Sequence, residues 1–341
     1  MSEQRRRRRE GLSVAIAFDA MAIELPAECE VGADEADAVA AVGAAIDDVE
    51  GALRAAGHRP RRLPLAADPA ALARTLAALE CDVIFNLAES YGGQAAREAE
   101  IATRLAATGV PLTGSPPDVL GTCLDKGATR AALGGVVPVP AAALITHADA
   151  PLPPLPWPCI LKPAAQDASH GIAFASVCAD ASSARTRARH LFERGLGPVL
   201  VEAYIDGREL NVSVLEDAGD GTLVVLPPAE IAFERWPADA PRILTYAAKW
   251  DPDSLEYQQS VSRRVASPEP EAEAIARRVF AHLGLRGYGR IDLRVDARGP
   301  FVIDVNPNPD LSLGAGFQLA AERAGRSYAS VVDAIVQSAL P

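Results

Sequence analysis

Arg290-Ile291-Asp292, followed after a short turn by Phe301-Val302-Ile303-Asp304-Val305-Asn306-Pro307-Asn308, is the stretch whose reading decides the fold. Two apolar runs, Ile291–Val295 and Phe301–Val305, flank the turn Asp296-Ala297-Arg298-Gly299, a pattern that predicts two antiparallel strands joined tightly. Side chains alternate faces along a strand, so Asp304 and Asn306 project to one side and Asp292 is expected to face them across the hairpin. Three hard oxygen ligands so placed suit Mg2+ (or Mn2+), and Mg2+ is usually held by one or two carboxylates together with substrate phosphates. The plainer alternative is a polar strand face whose carboxylates stand in water. Arg290 beside the acids and the apolar remainder of both strands count against it.

Composition bounds the rest. At 341 residues the chain exceeds what one small core organises, so two or three subdomains are expected. Hydrophobic residues at 49% and charged residues at 23% are ordinary for a soluble globular protein, and a net charge of −12 argues against a general nucleic-acid or membrane-surface role. The five cysteines, Cys29, Cys81, Cys123, Cys159 and Cys178, are scattered and form no Cys-x-x-Cys pair, which fits a reducing cytoplasm. Arg5–Arg9 followed by Leu12–Phe18 has the outline of a signal peptide, but the apolar segment meets Asp19 and then Glu24 and reads better as a first buried strand. Residues 1–12 then form a disordered basic tail, with contact to an anionic surface as a minor alternative. No segment is long and uncharged enough to span a bilayer.

An alternation of strand and helix is expected over residues 13–121: strands at Val14–Phe18, Arg62–Leu65 and Val83–Asn86, and Ala-rich helices at Ala36–Ala56, Ala70–Leu79 and Ala95–Thr108. This is an open parallel sheet with helices on both faces. Ligands on such sheets bind beyond the carboxyl ends of the strands, so Asp19, Glu24 and Glu89, in the loop Asn86–Gly93, are expected at a cleft, unless they merely solvate the surface. A second unit, 122–196, opens with a helix carrying Lys126 and continues through a rigid connector at Pro151–Pro158 to the strand Cys159–Lys162. In the loop Ala164–Gly171 that follows, small residues let the backbone close over phosphates, with the amides around Ser169–Gly171 as donors. Lys126 and Lys162 are ordinary surface lysines on the alternative reading. In the third unit, 197–341, Glu202 lies on the strand Val199–Tyr204 and is separated from Glu209 by the turn Asp206-Gly207.

Taken in chain order, these motifs resemble the ATP-grasp superfamily, and within it the D-alanine–D-alanine ligase-like carboxylate–amine ligases. The resemblance runs from about Ser13 to near the C-terminus and is strongest over Lys162–Gly171, Glu202–Asn211 and Gly287–Asn306. It implies an α/β protein of ATP-grasp fold, with an N-terminal open parallel-sheet domain and two α+β subdomains clamping ATP. It also implies that Glu202 accepts from the adenine amino group, that the backbone of Ala203 and Ile205 meets the ring edge, and that Glu209 binds ribose hydroxyls. Asn211, Lys126, Lys162, Lys249, Ser169 and Gly171 would lie at the phosphates, and Arg290 at a developing oxyanion. Glutamates exposed at strand ends, and Arg290 as an ion-pair partner of Asp304, are the structural alternatives. The partners so implied are a small-molecule carboxylate and an amine, with no nucleic acid and no membrane; a homodimer stays open.

Departures from that family's pattern bear on the substrate. Where the family has adjacent serines in its phosphate loop and a lysine–tyrosine pair in a later loop, this chain has Ala168-Ser169 and Lys249-Trp250, and neither Ala168 nor Trp250 supplies a hydroxyl. The family's Gly-Gly-x-Ser-x-Glu turn is replaced by Phe18–Glu24. A glycine whose amide helps an oxyanion hole becomes Asp310, near Ser312. Asp310 either binds a cationic group, with Asp19 or Glu89, or caps the following turn. A ligase acting on something other than D-alanine is favoured; an ATP-grasp kinase, a D-alanine–D-alanine ligase proper and a nucleotide-binding protein without turnover are the competing readings.

Overall fold

The computed structural model describes residues 9–23, 33–166, 169–217 and 220–341, with the backbone alone for residues 33–41 and for Trp250. Glu24, Ala168, Cys29 and the basic run up to Arg8 lie outside the described residues.

β1 (Ser13–Asp19) is apolar throughout Val14–Phe18, as a strand covered on both faces must be, and it forms the centre of a parallel sheet. β2 (Arg59–Leu65) and β3 (Val83–Asn86) flank it in the order β2-β1-β3. Between β1 and β2 runs α1 (Ala33–Ala55); α2 (Pro69–Ala77) leads to β3, and α3 (Glu98–Ala106) follows a single 3-10 turn at Ala95–Arg97. Asp68 starts α2 by accepting from the Ala71 amide at 2.7 Å, with Pro69 in the first turn where a missing N–H costs nothing. Val14, Ile16 and Phe18 meet Ile46, Val49 and Leu53 of α1 on one face. Ala15 and Ala17 meet Leu72, Ile101 and Leu105 on the other, so the expected two-sided parallel sheet is present.

Next come α4 (Pro117–Leu124) and α5 (Lys126–Leu133), separated by Asp125, whose carboxylate caps α5 through the Gly127 and Ala128 amides at 2.8 and 3.0 Å. β4 (Ala142–Ile145), β5 (Cys159–Pro163), β6 (Val177–Cys178) and β7 (Val199–Ala203) form an antiparallel sheet of order β4-β7-β5-β6, packed on α6 (Ala181–Glu193).

A larger antiparallel sheet follows. Its strands are β8 (Arg208–Glu216), β9 (Leu223–Val225), β10 (Ala229–Phe233), β11 (Ser260–Arg264), β12 (Tyr288–Asp296) and β13 (Gly299–Asn306), in the order β11-β10-β8-β12-β13 with β9 beside β8. Short helices α7 (Ala247–Trp250) and α8 (Leu255–Gln259) lie between β10 and β11, and α9 (Pro270–Leu283) covers the apolar face of the sheet. Finally α10 (Gly316–Arg323) and α11 (Tyr328–Ala339) leave the large sheet, and Val332, Ile335 and Val336 of α11 pack among the residues of α1 and β1. The hairpin β12–β13 is the one predicted from its turn. One irregularity is new: Asp292 opposes Asp304 and Leu293 opposes Val302, so Ile303 bulges from the ladder. No helix among the described residues is long and apolar enough to cross a membrane.

Candidate active site

Register alone assembles one polar sheet face. Arg290 opposes Asn306 and Asp292 opposes Asp304 on one side of β12, while Asn211 opposes Asp292 and Glu209 opposes Arg294 on the other. Side chains directly opposite in an antiparallel pair share a face, so these residues converge as the hairpin reading expected. Arg290 donates through Nε and a terminal nitrogen to the two oxygens of Asp292, at 2.8 and 3.0 Å, and Asn211 Nδ2 donates to Asp292 Oδ1 at 2.8 Å. The ion pair considered between Arg290 and Asp304 is thus made with Asp292 instead, its neighbour two residues along the same strand.

Asp304 faces a cluster of cations, with Lys126 Nζ 3.9 Å from its Oδ1. Burial opposes its ionisation, but the charges of Lys126, Lys162, Arg130 and Lys249 outweigh that and hold its carboxyl below the usual carboxylate range. Burial, then the neighbouring Arg290, pushes the Lys249 ammonium below the usual lysine range. For Arg290 burial again works against the charge, and Asp292 more than offsets it, so its pKa is raised. Asn306 Oδ1 accepts from the Asn308 amide at 3.0 Å, which fixes the side chain. Among the described residues no three His, Cys, Asp or Glu side chains gather as a metal cage. What the face offers is two carboxylates and an amide oxygen, a hard donor set that fits Mg2+ completed by phosphates.

Glu202 on β7 is buried and accepts from Lys162 Nζ at 2.7 Å and from Arg130 Nε at 2.6 Å. Burial favours its neutral form, yet Arg130 and Lys162 prevail and lower its pKa. Arg130 also donates to the Ile303 carbonyl. The Ala203 amide donates to Ala141 O at 2.9 Å, leaving only its carbonyl for a base edge, and Ile205 follows, buried. Glu209, beyond the turn, accepts from Arg294 at 2.6 Å. The sequence reading named neither Arg130 nor Arg294. Their available signals were spacing: Arg130 stands one helical turn past Lys126, and Arg294 two residues past Asp292 on the same strand face.

Around the expected phosphate loop, Lys126 Nζ donates to Gln166 O at 2.8 Å. Gly171 has φ +73°, and a Cβ there would stand 2.9 Å from Pro163 Cγ, so this turn requires glycine. Ser169 (φ +62°) accepts through its carbonyl from the Ile172 amide at 2.8 Å. The loop meets the segment that leads into α7: the Tyr246 amide donates to Ile172 O at 3.0 Å, and the rings of His170 and Tyr246 lie 6.0 Å apart, edge to face. Trp250 ends α7, directly after Lys249.

On the substrate side, Asp19 corrects an expectation. It is only 2% exposed, and its carboxylate accepts from the Met21 amide (3.1 Å), the Ser90 hydroxyl (2.8 Å) and the Gly93 amide (2.8 Å). It braces the 86–93 loop rather than facing a cleft, because a buried carboxylate must spend its lone pairs on nearby donors. Glu89 on that loop is exposed. Asp310 Oδ1 accepts from the Ser312 amide at 2.8 Å and the Ser312 hydroxyl at 2.5 Å, the geometry of a turn cap, which uses the Ser312 side chain as well. Nearby, the buried Tyr288 hydroxyl donates to Asn308 Oδ1 at 2.6 Å and Asn308 Nδ2 to Glu98 at 3.3 Å.

Comparison with known proteins agrees with this fold. The family described as D-ala D-ala ligase C-terminus matches residues 149–337. An uncharacterized protein, y4sG, of Sinorhizobium fredii is 32% identical over 80% of this chain and 77% of its own length. A D-alanine--D-alanine ligase of a Marinomonas species is 31% identical over 84% of this chain and 87% of its own. The crystal structure of D-alanine--D-alanine ligase from Bacillus anthracis complexed with ATP superposes with a TM-score of 0.71 at 17% identity, covering 96% of this chain and 97% of that one, a likeness of fold. The fold and the polar face define an ATP-grasp protein, an ATP-dependent, ADP-forming ligase that makes C–N bonds. Within that class the chain belongs to the D-alanine–D-alanine ligase family.

Proposed function

We propose that this ligase activates a substrate carboxylate as an acyl phosphate, joins it to an amine, and uses a substrate other than D-alanine. The observation that carries the reading is the single sheet face on which Asp292, Asp304 and Asn306 meet Arg290 and the lysines 126, 162 and 249. Glu202 and the Ala203 and Ile205 backbone hold the base, and Glu209 the ribose, whose two hydroxyls a carboxylate can accept from together. Mg2+ or Mn2+, held by Asp292, Asp304 and Asn306, would offset phosphate charge when bound. Lys126, Lys162 and Lys249, with Asn211 and the amides of Ser169–Gly171, orient the phosphates for in-line attack by the substrate carboxylate. The carboxylate oxygen bonds to the γ-phosphorus as the bond to ADP breaks. The amine then adds to the acyl carbon, loses a proton and expels phosphate. Arg290, locked by Asp292, is preorganised to stabilise the oxyanion of that step. The contact of His170 and Ile172 with Tyr246 supports a closed site that keeps water from the acyl phosphate.

The substrate reading rests on residue types. Ala168 and Trp250 lack the hydroxyls that the family's pocket uses, and Asp310 stands where the family has glycine. With Asp19 spent on the 86–93 loop and Asp310 Oδ1 on the Ser312 cap, the exposed Glu89 and the second oxygen of Asp310 are the carboxylate groups that favour a substrate carrying a positive charge. The test incubates the purified chain with ATP and Mg2+ and, separately, D-alanine or panels of acids with basic amines. Phosphate release requiring both an acid and an amine is expected, with little D-alanyl-D-alanine. Efficient dipeptide synthesis refutes the substrate reading, and a stable phosphorylated product would make the protein a kinase. Asp304→Ala is expected to abolish turnover; full activity in that variant, or in excess chelator, removes the metal assignment.

A further inference from the structure

The bulge at Ile303 leaves one residue of β13 without an opposite number at the position just before Asp304. A bulge bends its strand and re-aims the neighbouring side chains, and its unladdered carbonyl must find a donor. That donor is the guanidinium of Arg130, which reaches Ile303 O from α5. The same guanidinium, through Nε, holds Glu202 Oε2 at 2.6 Å. Both side chains are sequestered, Arg130 at 8% exposure and Glu202 at 1%, so neither end of the contact is loosened by solvent. Lysine is unsuited to this place, since a single ammonium presents a point charge where the guanidinium presents a planar fork.

We propose that Arg130 is a positioning residue that joins the base-binding end of the ATP site to its metal-binding end: one side chain sets both the orientation of Glu202 and the bulge that aims Asp304. The proposal rests on the ATP-site reading given above. Glu202 accepts most strongly from an amino group at the base edge while it is ionised and correctly turned. A guanine presents a carbonyl oxygen at the corresponding edge and is repelled by that carboxylate, so the precision with which Glu202 is held governs the choice between ATP and GTP. At the other end, a relaxed bulge lets Asp304 drift from Asp292 and Asn306 and weakens the hold on the cation. Loss of a single side chain should therefore disturb two properties measured at opposite ends of the nucleotide.

The test uses Arg130→Met and Arg130→Lys in the full chain. Equilibrium binding of ATP and of GTP is measured at varied Mg2+ with no acid or amine present, alongside thermal midpoints. In Arg130→Met the preference for ATP over GTP is expected to fall about tenfold and the half-saturating Mg2+ concentration to rise by a similar factor. Arg130→Lys keeps the charge, guards against a variant that fails to fold, and is expected to restore one property more than the other. A lowered thermal midpoint with both properties unchanged would make Arg130 an ordinary buried ion-pair partner and overturn the proposal. Wild-type protein that binds no Mg2+–ATP would overturn the ATP-site reading itself, and this proposal with it. Wild-type binding that the variants reproduce in full overturns this proposal alone.

Discussion

Replacing Arg294 by methionine is expected to destabilise the fold by about 3–5 kcal/mol, the cost of breaking a buried ion pair from one side. The structure sets the size of the effect. Arg294 and Glu209 side chains are 4% and 7% exposed, so solvent cannot take over the role of the lost guanidinium. Arg294 also donates to Gly207 O at 3.3 Å and to Arg242 O; methionine removes both bonds, and Arg242 O keeps the Tyr204 hydroxyl at 3.3 Å. The larger share comes from the Glu209 carboxylate, which stays buried opposite Ile231 after its guanidinium partner is removed. Glu209→Gln, which keeps the shape and removes the charge, should therefore cost less than Arg294→Met. The double variant should be more stable than the sum of the two losses by roughly 0.5–3 kcal/mol, the range for residues in direct contact. Urea unfolding at neutral pH, followed by tryptophan fluorescence, to which Trp236 contributes from beside this pair with its indole donating to Pro241 O, reads all three proteins. A loss under about 1 kcal/mol in Arg294→Met, or strict additivity in the double variant, would refute the reasoning, because either result means the pair behaves as though it were exposed.

Glu202 predicts an acid limit. Its carboxyl is held below the unfolded value of ~4.3, so the stabilisation is complete above that pH and is lost as pH falls through the lowered folded value. Denaturant titrations from pH 7 to pH 3 should show a steeper fall for wild type than for Glu202→Gln, and equal slopes would contradict it. Glu209→Ala is expected to raise KM for ATP with a smaller effect on kcat, whereas Arg290→Ala lowers kcat, since its contact strengthens as the oxyanion forms. If Arg290→Ala changed only KM for ATP, Arg290 would belong to phosphate binding.

Short-range patterns made the hairpin legible. Asp292, Asp304 and Asn306 were readable because strand alternation is a local rule and the Asp296–Gly299 turn sets which residues oppose. The parallel sheet was readable from apolar runs separated by Ala-rich helices. The partners of the key carboxylates were not. Arg130 and Glu202 are separated by 72 residues and Arg294 and Glu209 by 85, and no local periodicity distinguishes those arginines from others in an arginine-rich chain. Asp19 misled for a related reason: a carboxylate at a strand end faces a ligand or turns inward according to whether donors such as Ser90 and Gly93 return beside it, which is a property of the loop's path. The bulge at Ile303 left no mark either, since the apolar run Phe301–Val305 looks the same with or without a skipped partner.

The docking of α11 against α1 and β1 has a consequence for how the protein is made. Val14, Ile16 and Phe18 leave the ribosome early, but part of the apolar surface that covers their neighbourhood arrives with Val332, Ile335 and Val336. At elongation rates of about 5–20 residues per second the interval is on the order of tens of seconds. During that time the nascent N-terminal sheet carries an incomplete cover, a surface open to self-association or to chaperones. Synthesis of α11 therefore closes the cover over β1.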